Sequence, residues 1–245
     1  MIALHSPSSV LSRRHVPSWL LLAASAGAVN TIAFLGCSKF VTHVTGTVSH
    51  VGLNALDFTI DAAAVLVGFV LGAMTSAALV DARAHNQGKP LHAATLLSVA
   101  GILAGVSALG AAGAFGGFGD QADGVRGAAF PALLSFAMGL QNAAVAASTG
   151  QVIRTTHLTG PATDLGVQLT TALRAPRALR TGALRNAALR AGLITAFALG
   201  GAAGASLASS FAYGALLVPA SAVATATALS FTPSTVTTTS KETSR

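Results

Sequence analysis

Two short stretches hold most of the residues able to do chemistry. His43-Val-Thr-Gly-Thr-Val-Ser-His50-Val-Gly52 is echoed 114 residues later by His157-Leu-Thr-Gly-Pro-Ala-Thr-Asp164-Leu-Gly166. His43 and His157, Thr45 and Thr159, Gly46 and Gly160, and Gly52 and Gly166 fall in register, and Ser49 matches Thr163. Imidazole titrates near neutral pH, a threonine hydroxyl both donates and accepts, and glycine weakens a continuous helix. These types suit coordination of a small solute or ion at a helix break. His43 and His50 would share a helix face, as a metal pair would, but no carboxylate supports them and Cys37 is the single soft ligand in the chain. There is no phosphate-cradling glycine loop and no Ser/His/Asp order that the chain could assemble. Catalysis, a cofactor and a bound metal are therefore not expected.

The elements that position these stretches follow from composition. The chain is 52% hydrophobic and 9% charged, with a mean hydropathy of +0.67, whereas soluble domains carry about 25% charged residues. Charge-free apolar runs cover 19–36, 62–80, 93–117, 128–147, 191–210 and 211–230. Each is near the roughly 20 residues that cross hydrocarbon, which predicts six spanning helices. The last two abut, so a tight turn must lie near Ser209-Ser210-Phe211 or Tyr213-Gly214. Small-xxx-small spacing at Gly101–Gly105 and at Gly200–Gly204 would let helix backbones approach closely.

The net charge of +7 and a pI near 11.1 would suggest nucleic acid in a soluble protein, but the distribution argues otherwise. With the N-terminus in the cytoplasm, Lys39 and Arg126 alone among the 14 basic residues fall outside. That satisfies the positive-inside rule and places both termini inside. Ser12-Arg13-Arg14 before an apolar run also resembles a secretory or twin-arginine signal. The run continues to Gly36, however, and Gly27 and Asn30 have counterparts at Gly139 and Asn142, which favours a retained span. Cys37 has no cysteine to pair with in the chain.

Residues 37–58 mix apolar residues with Lys39, His43, His50, Asn54 and Asp57. A broken or re-entrant helix fits, and so does an outside loop with an amphipathic surface helix. Gln141 and Asn142 lie inside the fourth span and should face the bundle, because amides are unfavourable in lipid. Beyond Thr170, Arg174, Arg177, Arg180, Arg185 and Arg190 alternate with leucines. They read either as a cytoplasmic helix on anionic headgroups or as a topogenic charge cluster. The Ser/Thr-rich tail 232–245 should be disordered. Each half thus reads as span, motif segment, span, span, and three crossings per half would invert the second copy. The expected architecture is all-α, a single polytopic membrane bundle of 1–245 built from inverted 3+3 repeats at about 18–118 and 128–231, each with a broken or re-entrant Thr-Gly segment.

Ala26-Gly-Ala-Val-Asn30, His43-Val-Thr-Gly46, Met138-Gly-Leu-Gln-Asn142 and Thr155-Thr-His-Leu-Thr-Gly160-Pro-Ala-Thr-Asp164 together resemble the YoaK-like family of bacterial inner-membrane proteins, a domain of unknown function. The resemblance spans roughly 20 to 230 and implies a multi-pass protein of the bacterial inner membrane, with no established activity. In that family an acidic residue usually stands where this chain has Asn30, and Asn where it has Thr47. At that position this chain therefore carries an amide and not a titratable carboxylate.

The expected site comprises Asn30, His43, Thr45, Gly46, Gln141, Asn142, His157, Thr159, Gly160 and Asp164, converging between the halves. Asp164, the one acid in either motif, takes the place of His50. It would form a titratable end with His157, or else cap a helix or pair with Arg154. The partners expected are the bilayer, anionic headgroups at Arg174, Arg177, Arg180 and Arg185, and a small solute or ion; nucleic acid is not one. A transporter or permease is the first functional reading. A non-transporting sensor, lipid-binding scaffold or partner subunit is the second.

Overall fold

A computed structural model describes residues 4–53, 60–85, 91–120 and 124–231, all helical or irregular, with no strand among them. The expected disorder of 232–245 concerns residues outside this set, as do Asn54, Asp57, Lys89 and Asp123. The elements are α1 (Pro7–Val10), α2 (Val16–Cys37), α3 (Val44–Leu53), α4 (Ile60–His85), α5 (His92–Ala111), α6 (Gly124–Ser148), α7 (Thr159–Arg174), α8 (Arg177–Phe211), a 3-10 turn Ala212–Leu216, and α9 (Leu217–Ser230). Among the described residues five stretches are long and apolar enough to cross a membrane: Val16–Cys37, Ala62–Val80, His92–Ala111, Gly124–Ser148 and Arg177–Ser230.

The fifth stretch contains the last two expected spans, joined at 212–216, where Ala212 adopts φ 50°. Contacts fix its course. Leu20 meets Gly192 and Ala28 meets Gly204, so α8 runs parallel to α2. Ser25 donates to Pro219 O and Ser18 bonds Ser230, so α9 runs back antiparallel. By the same reasoning Phe130 at Gly36 and Gln141 at Leu22 set α6 against α2. Ala132 at Gly68 and Phe136 at Gly72 align α4 with α6. Tyr213 lies at Gly110, and the His92 and Phe231 rings meet at 6.5 Å, so α5 runs with α2. Thus α2, α5 and α8 point one way and α4, α6 and α9 the other.

The closest helix pairs are α2 with α8 and α4 with α6, and glycine is what permits their approach. A Cβ at Gly27 would strike Phe197 O, and one at Gly200 would strike Ala24 O; in the other pair, Gly139 faces Phe69 O and Gly72 faces Phe136 O. Outward faces are apolar, with Val70, Met74, Leu97, Leu199 and Leu229 exposed. Lipid satisfies such a surface where water would not.

Two expectations change. The Thr-Gly motifs are not helix breaks: Gly46 lies in the first turn of α3 and Gly160 in that of α7. The breaks precede them, at Ser38 (φ 57°) and Gly150 (φ 59°), where the helix ends in left-handed geometry. Nor is the basic stretch a separate surface helix. It forms the end of α7 and the first part of the 35-residue α8, which at 1.5 Å per residue is roughly 50 Å long and exceeds the hydrocarbon by a wide margin. Pro176 sets the corner, and Pro161, Ala172, Ala183 and Ala187 are buried residues of the resulting α7–α8 hairpin.

Candidate functional site

The ten expected residues do not converge. They fall into two groups near opposite ends of the bundle, because α2 and α6 are antiparallel and each carries its amides toward its own C-terminal end.

At the end where α2 finishes, Ser38 terminates the helix through its N–H to Phe34 O, and the chain turns back to α3. Asn30 Oδ1 accepts from Thr42 N at 3.0 Å, and Ser135 Oγ on α6 donates to Val41 O and Val65 O at 3.2 and 2.6 Å. These bonds hold the loop in place. The exposed His43 ring lies over Gly46, where a Cβ would come within 2.9 Å of it and the ring would have to shift. A cavity of about 230 Å³ opens here, lined by Lys39, Phe40, His43, Gly46, Thr47 and Ala62 among others. Thr45 is exposed, and its carbonyl accepts from Ser49 Oγ.

At the opposite end, Gln141 Nε2 donates to Leu22 O and Thr155 Oγ1, both at 3.1 Å. Gln141 Oε1 and Asn142 Oδ1 are buried without a hydrogen-bond partner among the described residues. Asn142 lines a second cavity, of about 250 Å³, with Phe69, Ala73, Ala77, Gln151 and Arg154. Much of its lining is apolar, and the exposed Arg154 guanidinium in it donates to Gln151 Oε1 at 3.2 Å. An amide oxygen and a guanidinium side by side can pair with a hydrogen-bond donor and an anionic group.

His157, Thr159 and Asp164 are exposed at this same end. Asp164 pairs with Arg190, at 3.2 Å, and not with Arg154. The α7–α8 hairpin brings α8 alongside, and Arg190, 11% exposed against 52% for Asp164, also donates to Val152 O at 2.8 Å. A guanidinium so largely withdrawn from water is stabilised by both partners, which accounts for the position of the acid. Among the described residues no cluster of three His, Cys, Asp or Glu side chains could hold a metal; the His43/His50 pair involves a side chain outside the described set.

Sequence reasoning missed Thr42, Ser135, Thr155, Thr156 and Arg190. The threonines sit beside the motif histidines, and offset alignment of the two copies would have flagged Thr42 and Thr156, which fall in register, but not Thr155, which aligns with Val41. Ser135 and Arg190 become neighbours of these loops only through tertiary contacts.

The family described as a protein of unknown function (DUF1275) matches residues 18–229 of this chain. No curated protein and no solved structure matches it.

Proposed function

The chain belongs to the DUF1275 family of proteins of unknown function, and from that premise we propose that it is a secondary transporter or permease for a small solute or ion, with no enzymatic activity. The motifs that resemble the YoaK-like family lie within the matched residues, and that resemblance supports the bacterial inner membrane as its location. The observation that carries the reading is the pair of buried, unpartnered amide oxygens at Gln141 and Asn142, with Asn142 on the wall of an open cavity. Polar atoms inside apolar helices are retained where they serve a ligand or a path.

Inverted repeats support the same reading, since secondary transporters are often built from them. Adding 128 to positions of α4 and subtracting 112 from positions of α6 turns the contacts Gly72–Phe136 and Gly139–Phe69 into Gly200–Ala24 and Gly27–Phe197. The left-handed ends Ser38 and Gly150 differ by the same 112. On this reading there are six spans, α2, α4, α5, α6, α8 and α9, with the second three running opposite to the first. Among the described residues Arg13, Arg14, Arg154, Arg174, Arg177, Arg180, Arg185 and Arg190 lie toward one end, and Lys39 and Arg126 toward the other. That end is the cytoplasmic one by the positive-inside rule, and Arg174, Arg177, Arg180 and Arg185, all exposed, meet anionic headgroups there.

The rival reading is a non-transporting sensor, lipid-binding scaffold or partner subunit. It is favoured by the role of Gly27, Gly72, Gly139 and Gly200, which serve packing alone. Solute flux into proteoliposomes separates the two. In the transporter, Asn142→Leu abolishes flux, and Asp164→Asn abolishes or uncouples it, while expression and thermal stability stay near those of the parent. Absence of flux across a broad solute panel rejects transport; unchanged flux and pH dependence in Asp164→Asn remove that residue from the mechanism.

A further inference from the structure

We propose that each half carries one helix-to-loop latch and that only the first is fastened in this structure, which is therefore the state open at the end where α2 begins. In the first half the latch is Asn30 Oδ1 accepting from Thr42 N at 3.0 Å, with both residues buried. The helix correspondence puts Asn142 where Asn30 stands, and the motif register puts Thr156 where Thr42 stands. There the bond is unmade. Asn142 Oδ1 and Thr156 Oγ1 are buried without partners among the described residues, and the 250 Å³ cavity lies beside Asn142. The second loop is held by Gln141 and Thr155 instead, whose counterparts Val29 and Val41 cannot form that bond.

The space beside each motif shows the opposite choice. Arg190 occupies it in the second half, bonded to Val152 O and paired with Asp164. Its counterpart is Ala62, which lines the open 230 Å³ cavity beside His43. Where the latch is fastened the motif space is open, and where the latch is open the motif space is filled.

Two halves of like sequence in opposite directions can exchange conformations, which is how inverted repeats give alternating access. Leaving Asn142 Oδ1 buried and unpartnered is unfavourable, so a state in which it accepts from Thr156 N lies close in free energy. In that state Asn30 releases Thr42, the cavity beside Asn142 closes, and its counterpart opens beside Asn30, walled by Phe197 and Gly201.

This inference rests on the inverted-repeat reading and is tested without measuring flux, so a protein that carries no solute could still satisfy it. In a Cys37→Ala background, Ala143→Cys and Thr31→Cys place single thiols at equivalent positions in the two cavities. A membrane-impermeant maleimide is applied to inside-out and right-side-out vesicles. Ala143→Cys is expected to label from the inside and Thr31→Cys to resist labelling. Adding Asn30→Ala should shift the ratio of the two rates toward Thr31→Cys by roughly 2- to 10-fold, the worth of one ordinary hydrogen bond. Asn30→Asp, which keeps an acceptor, should leave the ratio as it was; Asn30→Val replaces the alanine variant if that variant does not fold. An unchanged ratio in Asn30→Ala overturns the latch, and so does a rise at both thiols together, because general loosening is not an exchange.

Discussion

The two small-xxx-small pairs, indistinguishable as sequence, should behave oppositely on substitution. Gly200 and Gly204 pack against α2: a Cβ at Gly204 would come 2.7 Å from Ala28 O, and one at Gly200 would lie closer still to Ala24 O. Backbone cannot swing aside as a side-chain tip can, so Gly200→Ala forces α2 and α8 apart by about 1 Å at their closest crossing, an overpacking of about 1–3 kcal/mol. Gly101 and Gly105 have nothing within 4 Å. Gly101→Ala should instead gain up to about 1 kcal/mol, because alanine loses less backbone entropy in a helix. Thermal unfolding of the purified protein in detergent reads both. Gly200→Ala is expected to lower Tm by roughly 3–10 °C, and Gly101→Ala to leave it level or raise it slightly. Equal losses at the two sites, or a tolerated Gly200→Ala, would refute the argument that α2 and α8 meet through glycine.

Reporter fusions after Lys89 and Ala172 should read cytoplasmic and a fusion after Asp123 periplasmic; the reverse result would sink the orientation and the repeat inversion with it. A pH response is expected in the N-terminal segment, where His5 N–H reaches Ser148 O at 2.9 Å and the His5 ring packs on His15, Trp19 and Phe231 at 4.4, 5.2 and 5.6 Å. Burial first, then His15 and His92, lower the His5 pKa from 6.5 to about 4; burial and then the neighbouring Arg14 lower that of His15 as well. The docked segment thus favours neutral imidazole, so its attachment is complete above about pH 6.5 and weakens as pH falls toward 4. Trp19 is the one tryptophan, and its emission should change across that window in the parent and stay flat in His5→Phe. A flat profile in the parent would show that His5 is not the titrating group.

The sequence by itself determined that this is a chain of apolar helices with basic residues biased to one end, because twenty-residue charge-free runs and the placement of Lys and Arg are local properties. It also exposed the twofold motif, since equal spacing of His, Thr and Gly needs no structure to be seen. Which residues those motifs serve was decided only in three dimensions. The helix ends fall at Ser38 and Gly150 and not at the Thr-Gly pairs: glycine suits a left-handed terminus but is frequent throughout these helices, and serine carries no such signal. The partner of Asp164 is Arg190, 26 residues along the chain, because Pro176 folds α7 back on α8; Arg154, nearer in sequence, turns to Gln151. Convergence of the polar residues was expected from the unfavourable burial of each, yet α2 and α6 lie antiparallel and hold Asn30 and Asn142 near opposite ends. The opposed course of α2 and α6 follows from the crossings the sequence implies, but which faces pack, and so which polar residues meet, is a property of the whole bundle, with Gly27, Gly72, Gly139 and Gly200 at its closest contacts.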